Sequence, residues 1–297
     1  MVKSIYFKLK SDGMINLLKV AYYHFFPKQL KYFPLCRSIF ESGRGLEIGG
    51  PSNIFKKGNI IPVYPIACKI DNCNFHNQTT WEKNLQEGNT FFFDSRKKPG
   101  FQYIVEASNL QQRIAEFSYD FVLSSHCIEH LANPIKGLKE WVRVLRPGGV
   151  IVLIVPHKDG TFDHCRAVTS LDHLVQDFEK QVTEDDMTHL EEILRYHDLK
   201  KDPDAGDLNA FRERSKHNNQ NRCLHHHVFD THLAVELIHF MQLQILTVEL
   251  FYPYHIAIIA QKVSNNQPIN NEKFRNVYGC PCWSSPFLSD RAVASLF

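Results

Sequence analysis

The sequence predicts an α/β chain built on a doubly wound, mostly parallel seven-stranded sheet, with an antiparallel closing hairpin and an inserted cap region. Three observations predict it. Between Gly43 and Val155, short apolar runs alternate with helical spacing and with glycine or proline turns, the order that builds parallel sheets. Val150-Ile151-Val152-Leu153-Ile154-Val155 is apolar on both faces, which suits a parallel strand covered from both sides. Leu243 to Tyr252 and His255 to Lys262 are apolar segments separated by Pro253, and they read as an antiparallel closing pair.

The elements follow in chain order. Residues 1–40 form a basic, aromatic-rich extension with helical spacing at Met14, Leu17, Leu18 and Ala21. Two readings stand for it: a helix packed on the main domain, or an interfacial segment touching anionic lipid. The main domain runs over 41–263. Leu46-Glu47-Ile48 ends a buried strand, and Ile60 to Ile70 is a second one running into Asp71. Gln102 to Glu106 and Asp120 to Ser124 are the third and fourth. A helix follows, with Asn133 as N-cap and Pro134 at its first position, where the missing N–H costs little. Ile135, Leu138, Val142 and Leu145 form its apolar stripe, and Pro147-Gly148-Gly149 stops it. Residues 157–226 are polar and rich in histidine and aspartate, and are expected to lie over the carboxyl ends of the strands. A helix from Asp230 to Met241 and the closing pair complete the domain. The Asn-, Ser- and Pro-rich tail, 264–297, is expected to be loosely held.

Composition narrows the function classes. With 43% hydrophobic and 22% charged residues the chain is an ordinary globular one, and a formal net charge of +2 gives no concentrated basic face for nucleic acid. No window reaches the roughly 18 apolar residues of a membrane span. Lysines interrupt the apolar start, which is not read as a signal peptide. The cysteines lack a zinc or disulfide spacing, which points to a reducing, cytosolic setting.

The chemistry centres on the turn Gly45-Leu46-Glu47-Ile48-Gly49-Gly50. A glycine turn between a buried strand and a helix lets the backbone approach a nucleotide-like ligand. Asp71, expected at the end of the second strand, can accept both ribose hydroxyls of an adenosine, and Glu106, ending the third, falls near the adenine. Each has a plainer reading, Asp71 as a turn residue and Glu106 as an exposed acid.

Taken together these residues resemble the class I S-adenosylmethionine-dependent methyltransferases, especially the small-molecule branch. Leu46-Glu47-Ile48-Gly49-Gly50 matches that family's first motif, in which Glu47 would hold the loop and Gly49 would border the methionine moiety. Tyr119 to Leu131, with Ser124-Ser125-His126-Cys127-Ile128-Glu129-His130, matches the fourth-strand motif. Leu145-Arg146-Pro147-Gly148-Gly149 matches the turn before the fifth strand. The resemblance implies S-adenosylmethionine as cofactor, contacted by Glu47, Gly49, Gly50, Asp71, Glu106, Ala107, Ser125 and His126. One departure stands out: Pro51 and Asn53 occupy positions where the family usually has glycine, and Pro51 removes a donor. The Gly-Gly-Pro-Ser variant, with Pro62-Val63-Tyr64, Thr161 to Arg166 and Asp172-His173-Leu174, is similar to a bacterial subgroup associated with surface polysaccharide or glycolipid synthesis.

Methyl transfer from a sulfonium needs alignment, worth roughly 7–11 kcal/mol, and a hydroxyl acceptor also needs a base. His157, directly after the fifth strand, is the first candidate, and His130 the second. His225-His226-His227, with His164, His173 and His189, are read as substrate contacts or surface rather than as metal ligands. Adjacent histidines in a strand point alternately up and down, so at most two can share an ion. The expected acceptor is a saccharide, glycolipid or other small molecule. Two alternatives remain: a nicotinamide-dependent oxidoreductase, weakened by the missing Gly-x-Gly-x-x-Gly, and a non-catalytic protein of the same fold.

Overall fold

A computed structural model of the protein describes residues 28–264, 267–275 and 282–294. The expected helix around Met14 to Ala21 and the residue Cys280 lie outside them. The sheet has eight strands: β1 (Arg44–Ile48), β2 (Lys69–Asn74), β3 (Gly88–Phe91), β4 (Gly100–Ile104), β5 (Tyr119–Ser125), β6 (Leu145–Pro156), β7 (Gln244–Phe251) and β8 (His255–Gln261). Their order is β3-β4-β2-β1-β5-β6-β8-β7. Neighbours from β4 to β6 pair in parallel, while β3 on β4 and β8 on β6 and β7 are antiparallel. The unanticipated strand is β3, a short edge ribbon with exposed Asn89 and Thr90, too polar to register as an apolar run.

Both faces of the sheet are covered, which is why β6 is buried along Val150 to Pro156. On one face Leu46, Val122, Ile151 and Leu153 pack with Ile135, Leu138 and Trp141 and with Leu233, Leu237 and Ile238. On the other, Phe121, Leu123, Val152 and Ile154 pack with Phe40, Phe55 and Tyr64. The helix here is α1 (Phe33–Ser42), whose Phe40 ring meets Phe121 edge-on at 5.1 Å. On the first face lie α2 (Pro134–Val144) and, later in the chain, α7 (Thr231–Phe240). Asn133 caps α2 through its side chain, which accepts from the Lys136 N–H, as the sequence predicts.

The expected strand at Ile60–Ile70 is corrected. Residues 60–67 are irregular and β2 starts only at Lys69. Pro62 and Pro65 withhold ladder donors, so this apolar stretch fills the core as coil, with Ile61, Val63, Tyr64 and Ala67 buried.

Between β6 and α7 stand α3 (Leu171–Glu179), α4 (Leu190–Tyr196), α5 (Leu208–Lys216) and the single turn α6 (Asn218–Asn221). Ile193, Ala205, Phe211 and Leu224 form a small separate core for this region. The described residues of the tail depart from expectation: Phe274, Phe287 and Asp290 are buried, and the last described element is α8 (Leu288–Ala294). No helix among the described residues is long and apolar enough to cross a membrane.

Candidate active site

The carboxyl ends of β1, β4 and β5 meet at one edge, and the loops leaving them carry most of the residues singled out above. After β1 the chain turns through Gly49, which is exposed and has φ +75°, a conformation that favours glycine. A Cβ there would meet only Cys127, its Sγ at 3.7 Å and its Cβ at 3.9 Å, both ordinary contacts, so the space above the loop is open. Gly50 is different. A Cβ there would lie 2.3 Å from Glu47 Cδ, and its backbone N–H donates to Asn72 Oδ1 at 2.9 Å. The Gly50 amide is therefore committed to the fold.

Glu47 holds this loop. Fully buried, it accepts from the Ser52 N–H at 3.0 Å and from the Tyr64 hydroxyl at 2.7 Å. Burial pushes its pKa up to about 7, against the opposing effect of those hydrogen bonds. Tyr64 and Asn72 thus shape the turn; the sequence names Tyr64 only within the variant motif Pro62-Val63-Tyr64, and Asn72 not at all. Their signal was available: Asn72 and Asn74 are amides on one face of a central strand, where polar side chains need partners.

Asp71 does not belong to this edge, which corrects its expected place at the end of β2. It is the third residue of β2 and lies opposite Leu46. Its carboxylate accepts from Arg44 Nε at 2.9 Å, the Phe101 N–H at 2.8 Å and the Tyr119 hydroxyl at 3.0 Å. All three partners sit at the amino ends of their strands, on the side away from the glycine turn. A cavity of about 410 Å³ lined by Gly43, Asp120, Arg146 and Pro147 opens on that same far edge and is no part of the site. Glu106, just past β4, does stand at the carboxyl edge and is half-buried. Arg222 Nη2 reaches it at 2.5 Å from the α6 turn and also pairs with Glu184 at 2.9 Å. The adjacent Ala107 is buried, and its carbonyl accepts from Trp141 Nε1 at 3.0 Å.

Beyond β5 lies a cluster of titratable groups. Ser125 is half-buried at the strand end, and the Ser124 hydroxyl beside it is buried without a hydrogen-bond partner. His126 takes a left-handed conformation, φ +52°, and its Nε2 lies 2.9 Å from His255 Nδ1. His130 Nδ1 lies 3.0 Å from the Leu224 carbonyl, and its ring packs edge-on against Trp81 and His225. At the centre is Glu129, 1% exposed, with neither carboxylate oxygen hydrogen-bonded. His126 Nδ1, His130 Nε2 and His225 Nε2 stand 3.7, 3.9 and 4.0 Å from its Oε1.

Burial drives the electrostatics. It raises Glu129 to about 7 and lowers His126 and His130 well below the ordinary imidazole value, keeping both neutral. His225 goes the other way. Burial disfavours its charge, but Asp163, 2.5 Å from Nδ1, and Glu129 outweigh it and raise the pKa. Asp163 in turn is held down at about 2, because His225 and Arg166 overcome its own burial. The chain Asp163–His225–Glu129 therefore presents a carboxylate poised near neutrality. Glu129 stood inside the recognised motif but was overlooked for the histidines flanking it.

His157 is not at the mouth of the site, a second correction. It is fully buried, its Nε2 lies 3.1 Å from Asp290, its Nδ1 accepts from the Asp159 N–H, and its ring stacks on Phe287 at 4.0 Å. The C-terminal segment, expected to be loose, covers it.

Residues 77–153 match the family model described as a methyltransferase domain, a stretch that includes β4, β5, the Glu129 loop and most of β6. No curated protein matches the chain. Similar solved structures include a methyltransferase of Methanosarcina mazei, at 16% identity over 79% of this chain and 99% of that one, TM-score 0.44. An Aquifex aeolicus methyltransferase is 11% identical over 86% and 97%, TM-score 0.38. The 1,6-didemethyltoxoflavin-N1-methyltransferase of Burkholderia thailandensis is 11% identical over 86% and 90%, TM-score 0.40. The match covers β4, β5 and the Glu129 loop but not the glycine turn after β1, and over residues 77–153 the chain is similar to a methyltransferase domain.

Proposed function

We propose that the protein transfers a methyl group to a hydroxyl of a small polar acceptor, a saccharide or glycolipid, with Glu129 as the proton acceptor. The observation that carries this reading is the buried Glu129 carboxylate, unpartnered and ringed by three imidazoles at the carboxyl edge. A base is most effective when its pKa lies near the working pH. The polar lining of His126, His130 and His225 suits an acceptor with several hydroxyls.

The residues present fit the cofactor. The open space over Gly49 and the orphaned Ser124 hydroxyl are what a bound ligand would occupy. S-adenosylmethionine, when bound, supplies an electrophilic methyl on a sulfonium. Gly49, Ser125 and His126 would border its methionine side, and Glu106 takes over from Asp71 as the carboxylate for the adenosine side. Glu129 is the group placed to accept the acceptor's hydroxyl proton. His225, fixed by Asp163, orients Glu129 and steadies its charge. The neutral His126 and His130 offer hydrogen bonds to the acceptor.

Methyl-labelled S-adenosylmethionine incubated with fractionated oligosaccharides, glycolipids and amines tests the reading. Label in the saccharide or glycolipid fraction supports it, and label in amines alone refutes the acceptor class. Cofactor binding without transfer to any fraction would favour a protein that keeps the fold without the chemistry.

A further inference from the structure

A second cluster of histidines lies outside the Glu129 site. His173 and Asp177 stand one turn apart on α3, so their side chains share a face. His189 is the residue just before α4. His227 arrives from the bent coil run His225-His226-His227, in which His225 faces Glu129 and His227 faces this second group. Four ligand atoms, one from each residue, lie within 4.8 Å of one another.

The spacing is informative. His173 Nε2 is 3.2 Å from His189 Nε2 and 3.4 Å from Asp177 Oδ2, and His227 Nε2 is 3.7 Å from the same oxygen. A tetrahedral zinc ion with bonds of 2.0–2.1 Å holds its ligand atoms about 3.3 Å apart. Asp177 is 8% exposed, and its Oδ2 is buried without a hydrogen-bond partner. The Nδ1 of His227, 1% exposed, has none either. A buried carboxylate oxygen facing three imidazoles with no donor calls for a cation. Glu192, 3.9 Å from His189 Nδ1, stands where an outer carboxylate orients a ligating imidazole. Two contacts compete for these atoms, the His173 Nε2–His189 Nε2 hydrogen bond and the Ala132 carbonyl, 3.4 Å from His227 Nε2.

We propose that His173, Asp177, His189 and His227 bind one zinc-type divalent ion in tetrahedral geometry. Four protein donors close the coordination shell, so the ion is a structural clamp and not a Lewis acid. It joins α3 and α4 to the coil segment that delivers His225. It therefore holds the helical region over the loop carrying Glu129 and His130.

Untagged full-length protein would be assayed for bound metal by mass spectrometry, then stripped with chelator and titrated with Zn²⁺ and Co²⁺. One equivalent per chain, with the intense visible bands of tetrahedral Co²⁺ and a higher Tm on zinc loading, is expected. His189→Ala and Asp177→Asn, checked for native circular dichroism, should weaken binding by more than the roughly 10–100-fold cost of losing an outer-shell partner. Glu129→Gln should keep the full equivalent, which separates this site from the Glu129–His130–His225 group. Folded wild-type protein that takes up no stoichiometric metal overturns the proposal. So does an ion retained by His189→Ala and lost by Glu129→Gln. No readout depends on methyl transfer, so failure here leaves the proposed function standing.

Discussion

At Glu129, the absence of hydrogen-bond donors matters more than the presence of three imidazoles. A carboxylate left unpaired and buried is costly, and such strain concentrates where chemistry needs it. Glu129→Gln keeps shape and removes the base. It should lower kcat by about 10²–10⁴-fold while leaving cofactor affinity within a few-fold, as steady-state rates and calorimetry would show. Asp71 is the opposite case. Its carboxylate is consumed by Arg44, Tyr119 and the Phe101 N–H, all on the far edge. Asp71→Asn should therefore cost about 1.5–3 kcal/mol of stability, the range for hydrogen bonds to a charged group. Cofactor affinity should not change, which thermal denaturation and binding titration together would check. These two acids also mark what a sequence discloses at this scale. Glu129 sat inside a motif already recognised, but its neighbours' chemistry was more conspicuous than its own. Asp71 was placed by strand length, and a shift of three residues in where β2 ends moved it from the ligand edge to the structural one.

Among the elements, the glycine turn and its crossover depart furthest from expectation. Pro51, Pro62 and Pro65 break any helix after β1, so the connection to β2 runs through a single 3₁₀ turn at Asn53–Phe55 and then coil. Without a helix N-terminus fixing the loop, Glu47, Tyr64 and Asn72 fix it by side-chain bonds. The helices and the β5–β6 pair were legible because caps, stripes and apolar runs are local signals. The loop's supports were not, because Tyr64 and Asn72 reach it only through tertiary contact. Glu47 carries a testable cost. Its folded pKa of about 7 exceeds the ordinary 4.5, so the folded state binds the proton more tightly than the unfolded chain. Stability should then fall as pH rises from about 4.5 to 7 and level off above, by an amount on the order of 3 kcal/mol for this group. Glu129 and Glu184, also raised to about 7, add slope of the same sign. Glu47→Gln should accordingly flatten the decline in Tm over that window without abolishing it. A profile identical to wild type would show that Glu47 does not titrate there.

At the scale of the whole molecule, the C-terminal segment closes the fold. Phe274 joins the main core, and Phe287 stacks on His157. Asp290 gathers His157 Nε2, the Thr231 hydroxyl at 2.6 Å and the Ser285 hydroxyl at 2.6 Å. Its richness in Asn, Ser and Pro makes 264–297 read as loose, yet a few well-placed apolar and acidic residues dock its described parts, around Phe274 and over 285–290. Position along the chain likewise pointed His157 at the substrate, because a residue after a central parallel strand normally faces the ligand. The docked segment reverses that inference by covering the ring. His157→Ala removes one partner of a buried carboxylate and a stacked ring. It should destabilise the protein by about 1–3 kcal/mol and loosen the terminal segment, read as a lower Tm and faster removal of that segment in limited proteolysis. Below the new Tm, methyl transfer and cofactor affinity should stay within a few-fold of wild type. A hundredfold loss of transfer with Tm unchanged would instead return His157 to the chemistry and mean that the terminal segment lifts away during turnover.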